Sequence, residues 1–121
     1  MIGNASIIRL FIVVIAKHKP PSGGVLKDTR MNNPKIDVNA IESYTPEAYP
    51  KLFKQVGAQG LIEIQKHDRD SAELVSQLPE CDLVEYVGHS NTKSNYPDQI
   101  ASFVDCKNGK RFYVVNRIIQ K

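Results

Sequence analysis

His67-Asp68-Arg69-Asp70 sets an imidazole among carboxylates, the residue types of a metal or acid-base site. Adjacent residues on a helix point in different directions, so this run is expected to be a polar, solvated helix face instead. Gly88-His-Ser-Asn-Thr-Lys93-Ser94 approaches a phosphate-binding loop. It lacks the second glycine that lets backbone wrap a phosphate, and Pro97 with a following strand supplies no helix N-terminus. Cys106, Asp105 and His89 contain the parts of a thiol nucleophile set. Neighbouring strand residues face opposite ways, however, and a strand thiol has no helix N-terminus to lower its pKa. No catalytic residue, metal or cofactor is therefore assigned, and an enzyme is not expected.

Binding groups remain. The loop from His89 to Gln99 offers His89, Ser90, Lys93 and Ser94, and the C-terminal hairpin offers Lys110, Arg111 and Tyr113. Lys107, Lys110, Arg111, Arg117 and Lys121 make a basic edge on which Tyr113 is a stacking ring for nucleic acid. The same lysines also serve as ordinary charges that keep an edge strand from aggregating. Asp105 and Arg111 are expected to pin the hairpin turn as a diagonal pair of opposite sign. By elimination the chain reads as a non-enzymatic interaction module. Its partner is an unidentified protein, met through the exposed third strand or the 89–99 loop. Weak nucleic-acid binding is the alternative, and the free strand edge also admits a homo-oligomer.

These groups need elements to hold them. Thr45-Pro46 marks a helix start, although Pro50 lacks an amide hydrogen, so either the first turn is strained or the firm helix begins at Pro50. Leu52, Phe53 and Val56 form an apolar face before Gly57. A second helical stretch runs from Ala58 to Leu78, with a capping-box-like restart at Asp70 and Glu73, and ends at Pro79. Cys81 to Gly88, Ile100 to Cys106 and Arg111 to Ile119 are β-rich runs. Asn108-Gly109 predicts a two-residue turn. That turn sets Asp105 opposite Phe112 and Phe103 opposite Val114, with Phe103, Phe112 and Val114 on one face and Val104 and Tyr113 on the other. The fold class is α+β: N-terminal helices packed on a three-stranded antiparallel β-meander, with room for an extra N-terminal strand.

Pairing Gly88 with Gln99 across the first hairpin sets Cys81 opposite Cys106. Facing Cβ atoms are about 4.5 to 5.5 Å apart, close to disulfide geometry but usually wider, so a bridge and a pair of buried thiols both stand. Reduced thiols favour the cytoplasm, whereas a bridge implies an extracytoplasmic location.

The stretch C-D-L-V-E-Y-V-G-H-S-N-T-K-S, followed by F-V-D-C-K-N-G-K-R-F-Y-V, resembles a small domain at the C-terminus of bacterial proteins. Its marks are a Cys-Asp-x-Val strand, a Ser-rich loop and a Val-Asp-Cys-x-Asn-Gly-x-Arg-Phe-Tyr hairpin, and the helix Y-P-K-L-F-K-Q-V-G is similar too. The likeness covers residues 45 to 119. It implies the fold and the pairing of the two cysteines, and it brings no activity and no catalytic residue. In such relatives the domain often follows a membrane segment, which lends Ile7 to Ala16 some weight as a shortened anchor.

Composition agrees with one folded unit. Hydrophobic residues make up 41% and charged residues 24% of the 121, as in ordinary globular chains, and the net charge of +3 is spread along the chain. Residues 1 to 35 are a leader, strand or linker, and 36 to 121 the domain. Ser6 to Ala16 is apolar and β-branched but shorter than the roughly 20 residues a membrane span needs. It reads as a buried strand. Lys27-Asp28 can be encoded AAGGAY, which would place a ribosome-binding site just upstream of the Met31 codon. If Met31 is the natural start, a chain beginning there melts at the temperature of the full chain. A large loss of melting temperature would show that Ile7 to Ile15 is a core strand.

Overall fold

The computed structural model describes residues 31–121; the expected strand over Ser6 to Ala16 lies outside them. Helix α1 (Pro50–Ser76) packs on an antiparallel sheet of β1 (Val84–His89), β2 (Ala101–Cys106), β3 (Arg111–Val115) and β4 (Ile118–Ile119), ordered β1-β2-β3-β4. This is the expected α+β meander, with a fourth strand added.

The helix begins at Pro50. The turn before it is closed by Thr45, whose Oγ1 accepts from the Ala48 amide at 3.1 Å and whose carbonyl accepts from the Tyr49 amide at 2.9 Å. Gly57, at φ 75° and ψ 180°, interrupts the helical run where the sequence placed a boundary. Beyond it the helix is unbroken through Asp70 to Ser76, so no restart occurs. Leu61, Ile64, Asp68, Ala72 and Val75 recur at spacings of three and four and are all buried, which makes them one stripe facing the sheet.

Residues 36–44 run between helix and sheet. Ile36 and Ile41 form parallel bridges with Val84 and Val87, so the outer edge of β1 is covered. Packing starts slightly earlier than residue 36: Met31 rests on the core and Asn33 Nδ2 donates to Glu73 Oε1 and Ser76 Oγ, both at 3.1 Å.

Both hairpin registers differ from expectation. The second pairs Asp105 with Arg111, Phe103 with Tyr113 and Ser102 with Val114. A two-residue turn of the expected kind needs positive φ at both Asn108 and Gly109, and only Gly109 has it, at 94°. Asn108 is held otherwise: its amide donates to Asp82 Oδ1 at 3.1 Å, and its side chain donates to the Glu80 carbonyl at 2.8 Å. The loop is one residue longer in consequence, and a slip of one exchanges the faces of the strand. Ser102, Val104 and Val114 point into the core, while Phe103, Asp105, Arg111 and Tyr113 share the outer face.

The first hairpin pairs Gly88 with Phe103, and Val84 with Cys106 across an irregularity between Val84 and Tyr86. Cys81 therefore precedes the strand and does not face Cys106 in the ladder. The two are nonetheless joined as a disulfide, with Cα atoms 5.6 Å apart.

The run Arg111 to Ile119 is not one strand. Asn116 and Arg117 take positive φ, 47° and 65°, and turn the chain back so that Val115 faces Ile118. The third strand is thus not the free edge that the sequence implied; β4 covers part of it.

The bridge makes a direct prediction. Denatured, unreduced protein should show no titratable thiol. Reduction should cost about 3 to 4 kcal/mol of stability for a loop spanning 25 residues in the chain-entropy model. Two free thiols in protein prepared without reductant would refute the bridge.

Candidate functional site

A half-open cleft of about 460 Å³ lies where the start of α1 meets the end of β1. Tyr44, Tyr49, Tyr86 and Phe103 supply its aromatic walls, joined by Pro50, Leu52 and Gly88, with Lys51, Gln55, His89 and Asn91 as polar lining. Tyr44 and Tyr49 meet at 4.8 Å between centroids, Tyr86 and Phe103 at 5.8 Å, both tilted. Gly88 makes room for this: a Cβ there would come within 2.6 Å of Phe103 Cζ.

The phenols are committed elsewhere. Tyr49 and Tyr86 each donate to Glu42, on Oε1 and Oε2 respectively, the second at 3.0 Å. Burial, followed by the hydrogen bond to Glu42, pushes Tyr86 up to about 12, so it stays a neutral donor. Tyr44 donates to Asp68 Oδ2 at 2.6 Å and accepts from the His89 amide at 3.0 Å.

Asp68 is the junction of a buried chain. Its other oxygen accepts from Ser102 Oγ at 2.6 Å, and Ser102 Oγ lies 2.7 Å from His67 Nδ1. His67 Nε2 accepts from the Arg117 amide at 3.1 Å. These contacts set every proton. Nε2 must be bare, so Nδ1 carries the hydrogen and donates to Ser102, whose single hydroxyl proton goes to Asp68. Burial, with the Arg117 charge second, lowers His67 to about 4. Burial raises Asp68 to about 6, against the hydrogen bonds from Ser102 and Tyr44.

Ser, His and Asp in contact invite a hydrolytic reading, which the connectivity rejects. Catalysis requires histidine between serine and aspartate so that it can take the serine proton. Here serine is in the middle, gives its proton to aspartate, and all three side chains are 0% exposed. The expected solvated face at 67–70 is thus corrected: His67 and Asp68 are buried, and only Asp70 stays outside, paired with Arg117 at 2.7 Å. The missed signal was the spacing of Asp68 from Leu61, Ile64, Ala72 and Val75, which places it on the apolar stripe.

The sequence candidates separate into groups. His89 alone reaches the cleft; its Nδ1 is buried without a hydrogen-bond partner, and burial lowers its pKa. Ser90, 5% exposed, accepts from the Lys93 amide at 3.3 Å, and Ser94 Oγ accepts from the Ala101 amide at 2.9 Å, so both shape the loop. Lys93, Arg111 and Tyr113 do meet, lining an open groove with Lys121 on the outer sheet face. Lys93 Nζ sits 4.7 Å over the Tyr113 ring. Arg111 grips Asp105 through two hydrogen bonds, 2.6 and 2.9 Å, directly across the ladder and not diagonally, and lies 4.3 Å over Phe103. Lys110 is exposed in the turn. Among the described residues no group of three His, Cys, Asp or Glu is placed to hold a metal ion, and no helix is long and apolar enough to cross a membrane.

The pKa shifts give a sign for acid stability. Between their ordinary value of 6.5 and their lower folded values, the unfolded chain protonates His67 and His89 while the folded one keeps them neutral, so stability falls as pH falls. Asp68 opposes this, because its folded carboxyl near 6 takes a proton before the unfolded one near 3.8. His67 moves further, from 6.5 to about 4, than Asp68 does, from 3.8 to about 6, and His89 acts in the same direction as His67. Melting temperature should fall from pH 7 to pH 5, and more steeply in Asp68→Asn; a rise in both proteins would overturn the neutral assignment of the buried histidines.

No family model matches the chain, and no curated protein or solved structure matches it.

Proposed function

We propose that this domain is a non-catalytic interaction module that receives a segment of a partner protein in the aromatic cleft. The observation that carries this is the set of rings from Tyr44, Tyr49, Tyr86 and Phe103 gathered around about 460 Å³ of accessible space. Partly open aromatic surface of this kind gives large contact area at little entropic cost, which is why such residues anchor interfaces. The sheet edge contributes less. β1 is covered by residues 36–41 and the outer strand β4 is only two residues long, which leaves little backbone for strand addition or for pairing with a second copy. The disulfide extends the proposal to an oxidising, extracytoplasmic setting, where such a bridge persists.

The test is selection from an unbiased peptide display library on the immobilised domain. Enriched peptides should share an anchoring residue and lose binding to Tyr86→Ala and Phe103→Ala by tenfold or more. Enrichment that is indifferent to both variants would overturn the reading.

Weak polyanion binding is a second reading, supported by the meeting of Lys93, Arg111, Tyr113 and Lys121 in the outer groove. Arg111 is already paired with Asp105, so the free charge there is small. Retention on a polyanion column should fall with salt and be lost when Lys93 and Lys121 become glutamate; unchanged elution would exclude it.

A further inference from the structure

We infer that the cleft is built for a cation: it takes an alkylammonium group, such as a lysine or methylated lysine side chain of the partner. The inference rests on the interaction reading above and specifies the chemistry of the anchor. Two features point the same way.

The first is what the rings present. The Tyr44 hydroxyl is spent on Asp68, and those of Tyr49 and Tyr86 on Glu42. These hydroxyls offer no free hydrogen to a ligand, which leaves the rings themselves as its contact. Ring faces carry the negative lobe of the aromatic quadrupole, which attracts cations and rewards anions with nothing. Phe103 already behaves as such an acceptor within the protein, with the Arg111 guanidinium 4.3 Å from its centroid.

The second is charge. Glu42 bridges the hydroxyls of two cleft rings and forms no ion pair among the described residues. Its carboxylate thus places net negative charge immediately behind the aromatic wall. Lys51 is the countervailing charge on the lining; it is exposed, and its long stem lets the ammonium swing into water when another cation enters. The other cation near the lining, Arg111 over Phe103, is already bound by Asp105 through two hydrogen bonds, so an anionic anchor would face Glu42 with Lys51 alone to receive it.

The full chain titrated with N-acetyl-Nε-trimethyllysine amide, and separately with its neutral tert-butyl carbon isostere, decides the matter. Binding is followed by NMR shifts of the Tyr86, Gly88 and Phe103 amides. The charged probe should bind about tenfold more tightly than the isostere. Glu42→Gln should shrink that ratio. Phe103→Leu, which keeps apolar bulk and removes the π face, should shrink it while leaving affinity for the isostere nearly unchanged; unaltered melting temperatures confirm that both variants fold. Equal affinity for the two probes would overturn the cation inference and leave an apolar interaction cleft intact. Shifts that follow protein concentration and ignore both probes would assign the cleft to a second copy of the chain and overturn it. Absence of binding by either probe would reject the cation anchor, with the peptide selection then judging the interaction reading by itself.

Discussion

The carboxylate of Asp68 lies on the stripe of α1 that otherwise carries Leu61, Ile64, Ala72 and Val75, and it is fully buried. A buried carboxylate is tolerated only where donors converge on it. The donors come from separate parts of the chain: Ser102 from near the start of β2 and Tyr44 from the segment beside the edge of β1. Each is itself held by a further donor, His67 for Ser102 and the His89 amide for Tyr44. One anionic position thus fixes the angle of Tyr44, the inward face of β2 and the orientation of His67. Removing it would leave two hydroxyls buried without their acceptor, at a cost of about 1 to 3 kcal/mol for each group stranded.

The far end of the chain reaches the last turn. Arg117 adopts a left-handed conformation that a residue with a side chain normally avoids at about 1 to 2 kcal/mol. Its amide is captured by His67 Nε2 and its guanidinium by Asp70. Asn116 is held as firmly, donating its amide to the Ile100 carbonyl at 2.9 Å and accepting from the Ile100 amide at 3.0 Å. The turn that creates β4 is therefore imposed by the helix and by the start of β2. Local propensity would have continued the strand, as the apolar residues of R-F-Y-V-V-N-R-I-I suggest.

This explains how much could be read in advance. The helical run, the first three strands, their order and the meander were legible, because periodicity and the proline and glycine positions at Pro50, Gly57 and Pro79 act locally; β4 was not. Registers were not. Asn108-Gly109 signalled a hairpin correctly, but its loop length depended on Asp82 and Glu80, which capture Asn108 from outside the hairpin. The ladder argument left the cysteine bridge open, and it rested on a facing position that does not exist, since Cys81 reaches Cys106 from the segment ahead of β1. The cleft was invisible for the same reason: Tyr44, Tyr49, Tyr86 and Phe103 lie on different segments, and of the residues proposed for binding only His89 belongs to it.

Buried network and cleft share Tyr44, and the sharing sets the character of the site. Because the Tyr44 hydroxyl is required inside by Asp68, the ring is turned with its polar end inward and stands 2% exposed as a backstop for Tyr49. Glu42 does the same for the opposite pair, drawing the hydroxyls of Tyr49 and Tyr86 to one carboxylate. Because the hydroxyls of Tyr44, Tyr49 and Tyr86 are occupied, an incoming group of the kind proposed would be recognised by shape and by the quadrupole of the rings. His89 Nδ1 is buried beside them without a hydrogen-bond partner among the described residues, and burial lowers the pKa of its ring. The cleft is thus shaped by the core, which has already taken the hydroxyls of three of its four rings.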